Sequence, residues 1–303
     1  MAVIREITAA RSARIAGLPI WKGSVAIEPL MGGISNESWL VTDDAGGHVV
    51  RFGEDYPFHH VLRDRELMTA RAAEEAAFAP AVEYAEPGIM VCRYLRARTF
   101  GEADVRADID RVAAIVRAFH ETMPHHVSGP GFMFWPFHVV RDYARTLREG
   151  GSRMTAELPS YLALADELEA AQTPLPIVFG HNDLLPANLL DDGERLWLID
   201  FEYAGFSTAM FDLAGLSSNA GFSLEESQAL LAAYFGRAPD EPLLRSLAAM
   251  QCASLLREAM WSMVSELHLD APGTDYVAYT QENLRRLDAA LDAYRTRYGH
   301  APR

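Results

Sequence analysis

The stretch Phe179-Gly180-His181-Asn182-Asp183-Leu184-Leu185-Pro186-Ala187-Asn188-Leu189-Leu190, followed by Leu196-Trp197-Leu198-Ile199-Asp200-Phe201-Glu202-Tyr203, decides the fold. Leu189-Leu190 and Leu196 to Ile199 are short apolar runs, and Asp191-Asp192-Gly193 between them is a turn signal. Two such runs around an Asp-Gly turn predict a β-hairpin. Asn188 stands just before the outgoing strand and Asp200 just after the returning one. Antiparallel pairing therefore brings them to the same end. An amide oxygen and a carboxylate meeting there suit Mg²⁺, a hard ion that takes oxygen ligands and keeps positions open for phosphates. Asp183 lies upstream on the same loop, where it can accept a proton from a hydroxyl. A lone His-x-Asp says little. The ordered set of His181-x-Asp183, Asn188, a hairpin and Ile199-Asp200 is the set needed to aim a hydroxyl at a nucleotide phosphate.

Composition narrows the classes. The 303 residues include 42 acidic and 27 basic side chains, a formal net charge of -15. That excess argues against nucleic acid as partner and is compatible with a cationic substrate. A hydrophobic fraction of 50% and a charged fraction of 23% are ordinary for a globular protein. Cys92 and Cys252 lack metal-ligand spacing and read as reduced thiols of a cytoplasmic protein. Neither a signal peptide nor an apolar run long enough for a bilayer is visible, so no membrane insertion is expected. Oligomeric state is not legible.

Outward from the hairpin, the N-terminal part is strand-rich. An opening helix is expected over about residues 4–17, and strands over 25–30, 38–42 and 48–52. A helix follows over about 60–77, then strands over 82–85 and 89–95. After residue 95 helices dominate: 106–121 carries Val112, Ile115, Val116 and Phe119 on one face, residues 139–172 are mostly helical, and 209–298 read as four or five helices. The expectation is an α+β, bilobal chain, with a small antiparallel-sheet lobe plus one helix (residues 1–95) before a mostly helical lobe (96–303). A nucleotide would lie in the cleft between them.

With these residues the chain resembles the choline/ethanolamine kinases, within the aminoglycoside phosphotransferase-like small-molecule kinases. The resemblance runs from about Gly32 to Tyr279 and is sharpest from residue 179 to 213, Phe211-Asp212-Leu213 included. It implies the protein-kinase-like fold, ATP and Mg²⁺ as cofactors, Asp183 as catalytic base, and Asn188 and Asp200 as metal ligands. It further implies that Gly32, Gly33, Ser35 and Asn36 cover the phosphates, with glycine permitting close backbone approach. Arg51, where protein kinases carry lysine, would grip phosphate with two nitrogens, oriented by Glu66. Arg93, Tyr94 and Leu95 would be the hinge that meets adenine. Asp212 would hold the catalytic loop by its backbone, and His181 is a packed structural histidine.

Eleven residues lie between Asp200 and Asp212, too few for the peptide-docking segment of a protein kinase. A small acceptor is expected, most simply choline or ethanolamine. Glu202, Tyr203, Trp261 and Tyr276 are the candidate cation pocket, with Glu258 on the same helix face as Trp261. Choline kinases that resemble this chain often carry two tryptophans three apart on that helix. Here Glu258 stands at the first place, and a carboxylate also suits a primary amine. Two other readings stay open: a kinase of thiamine, an aminoglycoside or a sugar on the same fold, and an inactive nucleotide-binding relative.

Overall fold

The computed structural model describes residues 2–30, 37–269 and 274–299. The expected phosphate-covering residues Gly32, Gly33, Ser35 and Asn36 lie outside the described residues. Helix α1 (Ala2–Ala16) leads into a five-stranded antiparallel sheet built from β1 (Ala26–Leu30), β2 (Glu37–Asp43), β3 (Gly46–Phe52), β4 (Val82–Glu86) and β5 (Ile89–Arg93). The spatial order is β1-β2-β3-β5-β4.

Strand alternation divides the work of the two faces. Trp39, Val41, Val50, Phe52, Ile89 and Val91 point to one face and form a buried cluster with Ile15 and Leu18 from the end of α1. Arg51, between Val50 and Phe52, therefore points to the other face. There it meets α2 (Arg63–Glu75). This helix starts later than its composition predicts. His60 adopts a left-handed backbone (φ 62°) after a 3₁₀ turn over Pro57–His59, and Leu62 is extended, so no continuous helix can pass through residues 60–62.

The helical part holds α3 (Glu102–Ala107), α4 (Ile109–Thr122), α5 (Pro136–Glu149), α6 (Leu158–Ala170), α7 (Ala209–Asn219), α8 (Leu224–Phe235), α9 (Glu241–His268) and α10 (Tyr276–Tyr298). Asp108, with φ −133°, separates α3 from α4, where the periodicity alone predicts one helix. Helix α9 is the axis of this region, packed against α5, α6, α7 and α10. It is buried on nearly all sides, Leu247, Met250, Leu256, Met260 and Val264 included. Burial of each such side chain stabilises by about 1.5–3 kcal/mol. Helix starts are set by side-chain caps: Asp240 accepts from the Leu243 amide at 3.1 Å, and Asp275 from the Ala278 amide at 2.9 Å. The second cap fixes where Tyr276 and Tyr279 emerge.

Between the two helical groups lie short strands. The predicted hairpin is β8 (Leu189–Asp191) with β9 (Leu196–Leu198), in register Leu189↔Leu198, and β6 (Arg98–Thr99) extends it on the β8 side. A ladder of β7 (Ile177–Gly180) with β10 (Gly205–Thr208) brackets the loop on its other side. These three extra strands are only two to four residues long, too short for a periodicity to register. Among the described residues no helix is long and apolar enough to cross a membrane.

Candidate active site

Pairing of β8 with β9 extends one residue past the strands: the Ile199 amide donates to the Asn188 carbonyl at 3.1 Å. This places Asn188 and Asp200 at the same end of the hairpin. Asn188 Nδ2 donates to the Asp183 carbonyl at 2.8 Å. That bond locks the amide with its oxygen left over as the acceptor. Asp200 holds a left-handed backbone (φ 69°), an uncommon state for a non-glycine that re-aims its carboxylate out of the hairpin.

The loop before the hairpin is clamped from below. Asp212, at the start of α7, accepts from the backbone amides of His181 and Asn182, both at 2.7 Å, and from His120 Nε2 at 2.8 Å. Asn182 (φ 61°) donates through Nδ2 to the carbonyls of Tyr203 and Gly205. Gly180 is required here, because a Cβ would stand 2.8 Å from Asn182 Oδ1 and 3.1 Å from Asp212 Oδ2. His181 donates through Nε2 to the Ile199 carbonyl at 2.9 Å, and burial lowers its pKa, so the ring is neutral. Asp183 is half-buried in the cleft that this loop forms with α7, α9 and α10. Burial raises its pKa well above the usual carboxylate range; the Arg257 charge opposes this, while Asp200, Glu258 and Glu202 add to it.

Across the sheet, Arg51 bridges two carboxylates: Nη1 lies 2.9 Å from Glu66 Oε1, and Nη2 lies 2.8 Å from Asp200 Oδ1. Burial disfavours the guanidinium charge, but Asp200, Glu66 and Glu202 outweigh it and raise the pKa. Arg63 continues the chain. Its Nη1 lies 2.6 Å from Glu66 Oε2 and 3.1 Å from Glu202 Oε2. Its Nε donates to the Glu54 carbonyl at 2.8 Å, passing so close to Gly53 that a Cβ there would stand 2.7 Å from Nε. Glu202 is therefore held beside Arg63, in the same chain of ion pairs as Arg51 and Glu66. Arg93 closes β5, opposite His48. The Tyr94 amide donates to the Gly47 carbonyl at 2.9 Å, and the Ala97 amide to the Leu95 carbonyl at 3.0 Å.

The aromatic residues come together, but as a closed cluster. Trp261 stacks on His59 at 5.0 Å between centroids and 25° between planes. It meets Tyr276 and Tyr279 edge-on, each at 6.2 Å, and donates through Nε1 to the Tyr203 hydroxyl at 3.0 Å. Trp261, Tyr203 and Tyr276 are 8%, 5% and 7% exposed. The wall that faces Asp183 is polar instead. Glu258 Oε1 accepts from the Tyr279 hydroxyl at 2.7 Å, Glu258 Oε2 pairs with Arg257, and all three residues line the cleft.

Several of these residues escape sequence reasoning. Arg63 has one signal, its place one helical turn before Glu66. His59 and His120 have none, because each acquires its partners only by long-range packing; Arg257 pairs with its neighbour Glu258, but nothing local says that the pair lines a cleft.

Among the described residues no group of three or more His, Cys, Asp or Glu side chains is disposed to hold a metal. The Asn188–Asp200 pair still fits Mg²⁺. It supplies one locked amide oxygen and one partly exposed carboxylate, and this ion commonly takes only one or two protein ligands beside phosphates and water.

Comparison with known proteins agrees with this architecture. The profile of the phosphotransferase enzyme family matches residues 26–248. A probable ethanolamine kinase of Arabidopsis thaliana is 28% identical over 278 residues, 79% of this chain and 72% of that protein. The structure of a choline/ethanolamine kinase family protein from Mesorhizobium loti superposes with a TM-score of 0.73 at 25% identity, covering 94% of this chain and 95% of that one. Choline kinase LicA from Streptococcus pneumoniae gives a TM-score of 0.75 at 21% identity, covering 94% and 99%, and shares the fold.

Proposed function

The chain belongs to the phosphotransferase enzyme family, and from that premise we propose that it phosphorylates the hydroxyl of a small amino alcohol with ATP, favouring a primary amine such as ethanolamine over choline. One observation carries this reading: Asp183 and the Glu258–Tyr279 pair line a single cleft. A primary ammonium needs hydrogen-bond acceptors, which Glu258 and Tyr279 supply. A quaternary ammonium needs open aromatic faces, and Trp261 has one face covered by His59 and its edge tied to Tyr203. The ethanolamine kinase name of the Arabidopsis relative supports the same acceptor class.

The nucleotide is placed between the small lobe (residues 1–95) and the large lobe (96–303), with Arg93, Tyr94 and Leu95 beside the base. Arg51, oriented by Glu66, grips the phosphates. Asn188 and Asp200 would hold Mg²⁺, which neutralises phosphate charge when bound. Asp183 accepts the hydroxyl proton as the new O–P bond forms and the bond to ADP breaks. Its raised pKa makes it a stronger base than an ordinary aspartate, and general-base assistance of this kind contributes about 10²–10⁴-fold.

The experiment is an ADP-release assay with ethanolamine, choline, thiamine, an aminoglycoside and a sugar. Ethanolamine is expected to give a higher kcat/KM than choline and than the three unrelated acceptors. Turnover confined to thiamine, the aminoglycoside or the sugar would move the chain to another acceptor class. Nucleotide binding with no release on any acceptor would make it an inactive relative.

A further inference from the structure

The cleft beside Asp183 carries cations that the transfer itself does not use. Arg257, on α9, is 5% exposed, and its Nε is buried with no hydrogen-bond partner. Arg286, on α10, lines the same cleft. Its contacts are long: Nη1 reaches Asn283 Oδ1 and Nη2 reaches the Ser218 carbonyl, both at 3.4 Å. Among the described residues no carboxylate lies within ion-pair distance of Arg286, and the adjacent Glu282 is taken by Arg285 at 2.6 Å. Glu282 acts on Arg286 only through space, so this half-buried guanidinium has no directly bonded counter-ion, and desolvating a charge is costly unless an anion compensates it.

Tyr279, Asn283 and Arg286 recur on one face of α10, over about 10 Å of helix at 1.5 Å per residue. Helical side chains lean towards the N-terminus, which carries the Arg286 guanidinium back to Asn283. The cleft thus offers an acceptor for a proton (Asp183), acceptors for an ammonium (Glu258 and Tyr279) and a donor fork for an anion (Arg286). Ethanolamine uses only the first two.

Resting on the reading of this cleft as the acceptor site, we propose that the preferred acceptor is a hydroxylated amino acid, its carboxylate seated on Arg286, its ammonium on Glu258 and Tyr279, and its hydroxyl on Asp183. The planar guanidinium matches a carboxylate through two parallel hydrogen bonds. In the reaction the hydroxyl oxygen bonds the γ-phosphorus, the bridging bond to ADP breaks, and the proton passes to Asp183. The products are ADP and an O-phosphorylated amino acid.

The test uses the full chain with ATP and Mg²⁺ in an ADP-release assay. Serine, threonine and longer hydroxylated amino acids are each measured beside their uncharged amides and beside ethanolamine. At least one acid should exceed its own amide by tenfold or more in kcat/KM. Arg286→Ala should lower the value for that acid at least tenfold more than for its amide, and Arg286→Lys should restore part of the difference. Equal turnover of every acid and its amide by the wild type overturns the proposal without any variant having to fold. An equal effect of Arg286→Ala on acid and amide also overturns it. Turnover of ethanolamine with no preference for a carboxylate overturns this inference alone. Silence on all acceptors overturns the amino-alcohol reading beneath it as well.

Discussion

Arg51 reaches Asp200 across 149 positions of chain, with Nη2 standing 2.8 Å from Oδ1. The arginine assigned to phosphate thus neutralises the carboxylate assigned to the metal. If Asp200 holds Mg²⁺, the ion without nucleotide would compete with this guanidinium, whereas the phosphates of a nucleotide would receive it. Arg51→Ala is therefore expected to shift two affinities in opposite directions. Binding of Mg²⁺ without nucleotide should tighten, and binding of ATP should weaken by tenfold or more. Calorimetric titration of each ligand decides the matter; a parallel loss of both affinities would show that the pair does not compete with the metal.

Asp183 is held in a place that disfavours its charge. Asp183→Asn is expected to lower kcat by about 10²–10⁴-fold with little change in ATP affinity. The same change should raise stability near neutral pH. The sign follows from linkage: the folded pKa is raised above the unfolded value near 3.8. At low pH both states are protonated and the group contributes nothing. As pH rises, the unfolded chain ionises first, so stability falls until the raised folded pKa is passed. The gain in Tm of the asparagine variant should therefore be present at pH 8 and shrink in acid. A gain that grows in acid would contradict the burial argument.

Glu258 and Tyr279 share a hydrogen bond of 2.7 Å in the cleft wall. Glu258→Gln is expected to raise the KM for ethanolamine at least tenfold while the KM for ATP moves less than about threefold, since a charge-assisted hydrogen bond at this half-buried carboxylate contributes roughly 1.5–3 kcal/mol. Steady-state kinetics in both substrates measures this. Matched increases in the two constants would place Glu258 outside the acceptor site.

Trp261 is bonded to Tyr203 and stacked on His59. Trp261→Phe keeps a ring but loses the Nε1 hydrogen bond, worth about 1 kcal/mol. A decrease of about 1–2 °C in Tm is expected, with the acceptor KM nearly constant. Thermal melts and kinetics on one preparation check both. A tenfold rise in acceptor KM at unchanged Tm would mean that the indole meets the amine directly.

His59 is buried against Tyr143 and Ser265, at 3.2 and 2.9 Å. Burial, aided by the Arg257, His268 and His60 charges, lowers its pKa to about 3. The unfolded chain takes up this proton near 6.5 and the folded one does not. The stability contribution is thus whole above pH 6.5 and is lost progressively towards pH 3, at about 1.4 kcal/mol per pH unit. His59→Gln should flatten this acid limb of the denaturation profile. An unchanged slope between pH 6 and 4 would assign the acid sensitivity to other groups.

Some of this architecture is local and so is written in the chain. Leu189 to Leu198 forms its hairpin around an Asp-Gly turn, and the positions of Asn188 and Asp200 at one end follow from antiparallel pairing alone. The order of sheet and helices, and the two-lobed α+β class, follow from the spacing of apolar residues and turn signals. Local signals also err where a single backbone state overrides propensity, as at His60 and Asp108. The remaining decisions belong to tertiary structure. Arg63 meets Glu202 over 139 positions and His59 meets Ser265 over 206, separations at which no periodicity carries information. The same packing closed the Trp261 cluster and left Glu258, Tyr279 and Arg286 lining one cleft with Asp183. Whether an aromatic or a charged side chain meets the acceptor depends on which face of α9 and α10 turns inward, and that is set by how the helices pack rather than by the residues they carry.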